Sequence, residues 1–109
     1  QWEYIKALEQ YESLLNILIA HELYDDLLLR LGKLHAKLGQ YVQAREYFVQ
    51  LEAVSKGGMW LEEAIYFAAK MSALLKSSDA ALELEDYLVE YPNGLYTEEA
   101  RQFYRTFMQ

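Results

Sequence analysis

An acidic pair followed by an apolar residue occurs three times in the chain, beginning at positions 25, 62 and 98, so successive copies are 37 and then 36 residues apart. Alanines at positions 7, 44 and 80 have the same two spacings, and Tyr11, Phe48 and Leu84 follow them four positions later. Two series with one period predict a chain built from copies of one structural unit. The register of the last copy stays open, because taking Ala81 instead of Ala80 aligns Leu88 with Leu51.

The clearest copy is the segment 28–51, which predicts two short helices joined by a tight turn. Apolar and small residues recur three or four positions apart in each half, as expected for one face of a helix. Gly39 and Gln40 interrupt the pattern between the halves. Gly32 lies inside the first helix, where glycine costs about 1 kcal/mol relative to alanine. Close packing against a second helix is the natural reason for a glycine at this position.

The whole chain is predicted to be all-α, with six helices over residues 2–18, 23–38, 41–54, 60–75, 79–91 and 98–107. Glycines 57 and 58 offer a left-handed cap after the third helix, and a serine at 77 or 78 can cap the fifth. Pro92 ends the fifth helix, and Thr97 is expected to cap the sixth. The predicted single domain, 1–109, divides into a half-repeat helix (1–20), two repeats (23–58 and 59–94) and a terminal helix (95–109).

The charge of the chain argues against nucleic acid as a partner. The chain has 17 acidic and 10 basic residues, and its net charge of -7 repels a polyanion. The chain has no cysteine, so disulfides and thiolate chemistry are excluded. Its longest apolar stretch, 14–20, is shorter than the roughly 18 residues that a membrane span needs, so we expect no membrane insertion. The chain begins with Gln1 rather than Met, which predicts an excerpt or a processed form.

The sequence contains no pattern typical of an enzyme. It lacks a phosphate-binding glycine loop, a nucleophile elbow and a metal-ligand cluster, so we expect no catalysis, no metal and no cofactor. His21 and His35 have no second ligand one helical turn away, and His35 is predicted to be a core residue. Adjacent residues of a helix point about 100° apart, so the acidic pairs do not converge on a substrate. They are predicted to be first-turn charges, which favour a helix N-terminus.

The pattern Leu28, Leu31-Gly32, Gly39, Tyr41, Ala44 and Phe48 resembles the tetratricopeptide repeat, a helix pair of about 34 residues. In that family a small residue of the first helix faces an alanine of the second, and Gly32 and Ala44 occupy these two places. The resemblance implies a right-handed superhelical solenoid of antiparallel helix pairs. Because the periods here are longer, a related solenoid of helical hairpins remains an alternative.

The segment 84–103 makes the resemblance more specific, to one group of proteins within the family. Its Tyr-Pro-Asn-Gly turn, followed by an aromatic residue, an acidic pair and an alanine, is similar to the linker between repeats in bacterial cell-envelope members of the family, of the outer-membrane assembly lipoprotein and Tol-Pal coordinator types. The resemblance therefore implies a periplasmic or cell-envelope location, with the cytoplasm as the alternative.

The resemblance also implies a binding groove, because the first helix of each pair lines the concave face in this family. Lys33 and Lys70 would occupy equivalent positions and meet one acidic group of a partner, while Leu29 and Tyr66 would supply apolar contact. The family's clamp for carboxylate tails is not matched, since Leu29 replaces an expected basic residue. The predicted groove residues are Asp26, Leu29, Lys33, Ala36, Glu63, Tyr66, Lys70, Ala73, Gln102 and Thr106.

The function predicted from these features is a non-catalytic protein–protein interaction module that binds a peptide or helix, within a bacterial envelope assembly or scaffold. The terminal helices carry Trp2 at one end and Phe103, Tyr104 and Phe107 at the other. Apolar ends of a helical stack predict either further repeats or docking on another chain. The alternatives are therefore a structural segment that self-associates through its terminal helices, or a regulatory domain attached to an enzyme or sensor. In a further alternative, the predicted groove residues are merely solvated and the partner binds elsewhere.

Overall fold

The computed structural model describes residues 1–15, 17, 23–55 and 57–109, and within these ranges the chain is helical with no β-strand. Its elements are α1 (Trp2–Leu15), α2 (Tyr24–Lys37), α3 (Tyr41–Val54), α4 (Leu61–Leu74), α5 (Ala80–Glu90) and α6 (Thr97–Phe107). The predicted all-α class is confirmed for this part of the chain. None of these helices is long and apolar enough to cross a bilayer.

The predicted helix boundaries agree with the observed ones within one or two residues, apart from the end of the first helix. It was predicted to reach residue 18 but ends at Leu15, and positions 16 and 18 lie outside the described residues. Gly39 and Gly57 follow the ends of α2 and α3 with φ angles of 76° and 72°. Both glycines therefore adopt the left-handed conformation that stops a helix with least strain.

Thr97 does not cap α6, contrary to the prediction. It is the first residue of the helix, and its hydroxyl donates to the carbonyl oxygen of Tyr91 at 2.7 Å. The same hydroxyl accepts the N–H of Gly94 at 2.7 Å. Thr97 thus closes the turn that follows Pro92 instead of satisfying the N–H groups of the helix that it begins.

Each helix packs against the next one in the chain, and α4 also contacts α6. The molecule measures 43 × 32 × 20 Å. Because a helix with its side chains is about 10 Å across, the shortest dimension corresponds to two layers of helices.

Helix α4 lies at the centre and contributes to two clusters of buried side chains. Ala64, Ala68 and Met71 belong to the cluster with α2 and α3. Tyr66, Ala69 and Ala73 belong to the cluster with α5 and α6. A helix with apolar residues around most of its circumference is normally buried on several sides, and α4 follows this rule. A smaller third cluster joins α1 to α2 through Leu8, Leu27 and Leu31.

The burial of α3 and α5 resolves the register that the sequence left open. Three pairs of residues 36 positions apart are at most 1% exposed, whereas Ala81 and Leu88 are only half-buried. The matching pairs are Ala44 with Ala80, Phe48 with Leu84, and Leu51 with Tyr87. The series that begins at Ala7 therefore continues through Ala80 and not through Ala81.

Gly32 is the point of closest approach between α2 and α3. A Cβ atom built on this glycine would lie 2.5 Å from Cε1 of Phe48, well inside van der Waals contact. The close packing that the sequence predicted is therefore present. The nearest atoms belong to the ring of Phe48, however, and not to Ala44, which is itself fully buried.

The two terminal helices differ in the faces that they expose. On α6, Phe103, Tyr104 and Phe107 are partly buried and pack against the cluster that α4 and α5 form. The exposed positions of α6 are polar, among them Arg101 and Arg105. On α1, the only described residue that is fully buried is Leu8, while Trp2 is 68% exposed.

Candidate functional site

A cleft of about 410 Å³ opens between α2 and α4, with α3 beneath it. We call it the α2–α4 cleft. Because α3 packs against both neighbours, it holds the two helices side by side with a gap above its own aromatic residues. The lining residues are Lys33, Ala36 and Lys37 of α2, Tyr41 and Phe48 of α3, and Phe67, Lys70, Met71 and Leu74 of α4.

The floor of the cleft is apolar and aromatic. The ring of Phe67 stacks on that of Phe48, with 5.3 Å between centroids and 29° between planes. Met71 lies one turn further along α4 and is 2% exposed. The four α4 residues of the cleft are spaced as i, i+3, i+4 and i+7, the pattern of one continuous helix face. Phe67, Met71 and Leu74 therefore give the cleft an apolar surface that belongs to the central helix.

The charged groups of the cleft are all basic, since none of the described residues that line it is acidic. The ammonium group of Lys33 lies 5.3 Å from the ring centroid of Phe67, and that of Lys37 lies 5.3 Å from the ring centroid of Tyr4. Neither lysine forms an ion pair with a described residue. Both side chains are exposed, so their charges face solvent.

Lys70 differs from these two lysines because it already has an acidic partner. Its Nζ lies 2.8 Å from Oε1 of Glu99 on α6. The hydroxyl of Tyr66 donates a hydrogen bond to the same carboxylate oxygen. The hydrogen bond from Lys70, followed by that from Tyr66, lowers the pKa of Glu99 from its ordinary value. Glu99 therefore links α6 to the central helix and neutralises the charge of Lys70.

A second cleft, of about 440 Å³, is lined by Glu99, Gln102, Phe103 and Thr106. The pair of Lys70 and Glu99 separates the two clefts, because Lys70 lines the first and Glu99 lines the second. The side chain of Phe103 contributes to this boundary, with its ring centroid 6.0 Å from Nζ of Lys70. The two clefts therefore follow one another across the α2, α4 and α6 side of the molecule.

Five of the ten predicted groove residues line these two clefts. Lys33, Ala36 and Lys70 line the first, and Gln102 and Thr106 line the second. Lys33 and Lys70 thus share one cleft, as their equivalent positions predicted.

The other five predicted residues lie elsewhere. Leu29, Tyr66 and Ala73 are buried in the core, where the ring of Tyr66 stacks on that of Tyr96 at 4.6 Å. Asp26 pairs with Arg30 at 3.0 Å, and Glu63 lies 3.4 Å from the hydroxyl of Tyr96. The apolar surface expected from Leu29 and Tyr66 is instead supplied by neighbouring side chains of the cleft floor.

Sequence reasoning missed Lys37 and Phe67. Lys37 follows Lys33 by one helical turn, so the spacing alone places both ammonium groups on one face of α2. Phe67 is adjacent to Tyr66, and the face of α4 that lines the cleft is rotated by one residue relative to the predicted one. Because α4 is apolar around most of its circumference, its periodicity did not show which aromatic residue faces the cleft.

A third cleft, of about 550 Å³, lies between α3 and α5 over a different face of α4. Its charge is mainly acidic. Arg45 is already engaged, because it donates to the Ser72 hydroxyl at 2.7 Å and to Glu83 at 3.0 Å. The remaining charged residues of this α3–α5 cleft are Glu52, Asp86 and Glu90.

His35 occupies the core position that the sequence predicted. It is 7% exposed, its ring stacks on Tyr47 at 5.3 Å, and its Nδ1 lies 2.6 Å from Oε1 of Gln40. His21 lies outside the described residues. Among the residues that the structure describes, no three His, Asp or Glu side chains converge as a metal site would require.

The acidic pairs lie in the first turns of α2, α4 and α6, as predicted. In α2 and in α4, the first residue of the acidic pair also accepts hydrogen bonds from residues near or just after the end of the next helix. Asp25 accepts the hydroxyl of Ser55 at 3.0 Å. Glu62 accepts the hydroxyl of Tyr87 and the N–H of Leu95, each at 2.7 Å. The repeated acidic residues therefore fasten the connections between helix pairs.

The fold and the clefts define a six-helix all-α protein, within the described ranges, that presents a basic apolar cleft on one side and an acidic cleft on another. No protein-family model matches the chain, and no curated protein is significantly similar to it. The arguments about its function therefore rest on the geometry and charge of these clefts.

Proposed function

We propose that the chain is a non-catalytic protein–protein interaction module, which holds a peptide or helix of a partner in the α2–α4 cleft. The observation that carries this proposal is the combination of an aromatic floor with two lysines that have no acidic partner among the described residues, all in one cleft. Apolar surface supplies affinity, and charged groups at its rim fix the orientation of a bound segment. The adjoining cleft on α6 extends the surface available to a partner.

The architecture that we propose is a right-handed stack of antiparallel helix pairs of the tetratricopeptide type. The equivalent burial of Ala44 with Ala80 and of Phe48 with Leu84 supports copies of one unit. The cleft on the side of α2, α4 and α6 supports a groove lined by the first helix of each pair. An assembly or scaffold of the bacterial cell envelope is the context that the linker 84–103 favours.

Peptide selection from a random displayed library, with this chain as bait, tests the proposal. We expect enriched peptides that bind the wild type and bind a Leu74→Glu variant at least about tenfold more weakly, because that substitution buries a carboxylate against the cleft floor. Leu75→Glu is the matched control: Leu75 is the adjacent residue, has similar exposure (41% against 38%) and does not line the cleft. Failure to enrich any peptide, or equal binding to the two variants, would contradict the proposal.

Self-association through α1 is the second candidate function, favoured by the exposure of its apolar side chains. Trp2 is 68% exposed, and Tyr4 and Ile5 are each 38% exposed. Clustered exposed apolar residues mark interaction surfaces more often than isolated ones do. Sedimentation equilibrium over a wide range of concentrations would detect such an oligomer, and Trp2→Ala should shift it toward the monomer. A wild type that stays monomeric throughout would exclude this function.

A further inference from the structure

The charge on the α2–α4 cleft is opposite to that of the molecule as a whole. Acidic residues outnumber basic ones by 17 to 10, but the charged residues that line this cleft are Lys33, Lys37 and Lys70. Their concentration around an apolar floor is a feature that the net charge of the chain does not explain. A partner that complements this cleft carries carboxylates next to apolar side chains.

The two lysines of α2 are the free cations of the cleft among the described residues. They lie four positions apart, so their side chains leave the same face of the helix. Each ammonium group lies near an aromatic ring, and neither has a carboxylate partner in the described part of the chain. A carboxylate at the α2 edge would therefore gain an ion pair without breaking an existing one.

Lys70 on the opposite edge is not equivalent to them. Its pairing with Glu99 at 2.8 Å already satisfies its charge, and Glu99 also accepts the hydroxyl of Tyr66. An incoming carboxylate at Lys70 would meet a charge that Glu99 already neutralises, and it would be repelled by the carboxylate of Glu99 itself. The acidic groups of a partner are therefore directed to the α2 edge, and its apolar groups to the floor formed by Phe67 and Met71.

We propose that the occupant of the α2–α4 cleft is an acidic polypeptide segment whose carboxylates pair with Lys33 and Lys37 and whose large apolar side chain packs on Phe67. This inference rests on the function proposed above and names the chemistry of the partner. A volume of about 410 Å³ is near the lower end of the roughly 300–1,000 Å³ typical of ligand pockets. It accommodates one or two large side chains of such a segment, while the rest of the segment lies outside.

The α3–α5 cleft supplies an internal contrast, because it offers an apolar floor with the opposite charge. Val49 and Val89 are exposed there, next to Glu52, Asp86 and Glu90, which form no ion pair with a described residue. Basic segments would prefer that cleft and acidic segments would be repelled from it. A selected acidic peptide is therefore expected in the α2–α4 cleft, and a selected basic peptide in the α3–α5 cleft.

The test uses the enriched peptides from the library selection. We expect them to contain more Asp and Glu than the starting library, within a few residues of Phe, Leu, Ile or Trp. We expect a synthetic copy of the most enriched peptide to bind Lys33→Glu/Lys37→Glu at least about tenfold more weakly than it binds the wild type. Its affinity for the wild type should also fall as salt is raised, because exposed ion pairs are screened.

The charge-matched control is Lys6→Glu/Lys76→Glu, which changes the net charge equally at exposed lysines that do not line the cleft. This control should keep binding within about twofold, and circular dichroism should show equal helicity in all variants. Two outcomes would overturn this inference and leave the interaction module intact. In the first, the peptides are sensitive to Leu74→Glu but show no excess of acidic residues. In the second, they are sensitive to Leu74→Glu but bind the Lys33→Glu/Lys37→Glu variant as well as the wild type. Peptides insensitive to Leu74→Glu, or no enriched peptides, would overturn the proposed function itself.

Discussion

Gly32 lies against the ring of Phe48, and this contact sets how closely α2 and α3 approach. The sequence predicted the close approach, because a glycine inside a helix needs a reason. It did not predict that the ring of Phe48 is the nearest group, since the direction of an aromatic side chain depends on packing from the whole core. Here Phe67 of α4 stacks on Phe48 and fixes the ring in place.

Replacement of Gly32 by alanine overpacks the contact with Phe48, which usually costs about 1–3 kcal/mol. Alanine favours a helix by about 1 kcal/mol over glycine, so we expect the protein to lose the difference, about 0–2 kcal/mol of stability. Urea denaturation measures it. The double variant Gly32→Ala/Phe48→Leu should lose less stability than the sum of the single variants. A stabilised Gly32→Ala variant would show that Phe48 moves away without cost.

Glu99 makes stability depend on pH. Its folded-state pKa is lowered by hydrogen bonds from Lys70 and Tyr66, so its stabilising contribution is present above the unfolded pKa and is lost as pH falls through the folded pKa. We expect Glu99→Gln to melt at a lower temperature than the wild type at pH 7. The difference should shrink as the pH falls below the ordinary value of 4.5.

Thermal melting of both proteins across this range measures the effect. The adjacent Glu98→Gln is the control, because Glu98 is more exposed and, among the described residues, pairs only with Arg101, at 3.4 Å. A difference between Glu99→Gln and the wild type that stays constant down to pH 3 would mean that the carboxylate charge of Glu99 is not the cause.

At the scale of the helices, periodicity predicted where each element lies but not which side of α4 faces the clefts. Helices with one apolar face, such as α2, show their orientation in the sequence. Helix α4 buries residues in two clusters, so its sequence is apolar on several sides and the predicted face was one residue away from the observed one. The salt bridge that holds α6 against α4 joins residues 29 positions apart and left no local signal.

The turn after α5 is held by the hydroxyl of Tyr87, which donates to Glu62 at 2.7 Å and accepts the N–H of Tyr96 at 3.0 Å. Tyr87→Phe removes one hydrogen bond from Glu62 and leaves the N–H of Tyr96 without this acceptor, so we expect a loss of about 1–3 kcal/mol. Chemical denaturation measures the loss. Tyr4→Phe, on the exposed face of α1, should change stability by less than about 0.5 kcal/mol. Equal stabilities of the two variants would show that the hydroxyl of Tyr87 does not hold the turn.

Across the whole molecule, the α2–α4 cleft is basic and the α3–α5 cleft is mainly acidic, a separation that the composition of the chain does not show. The net charge of -7 predicts that a polyanion is not a partner, but it gave no indication of a basic cleft on an acidic protein. Lys33 and Lys70 were predicted to act together on one acidic group. The pairing of Lys70 with Glu99 leaves Lys33 and Lys37 as the cations of the cleft without an acidic partner among the described residues. Their spacing of four positions along α2 already indicated that they share one face of that helix.

The most direct measurement is a nuclear magnetic resonance titration of the labelled chain with the most enriched acidic peptide. We predict that the largest shifts of amide signals occur at Lys33, Lys37, Phe67 and Leu74, and that they saturate at one peptide per chain. Signals of the α3–α5 cleft, such as those of Val49 and Val89, should move little. Saturating shifts confined to the α3–α5 cleft or to α1 would contradict the account, because the partner would then bind away from the basic cleft.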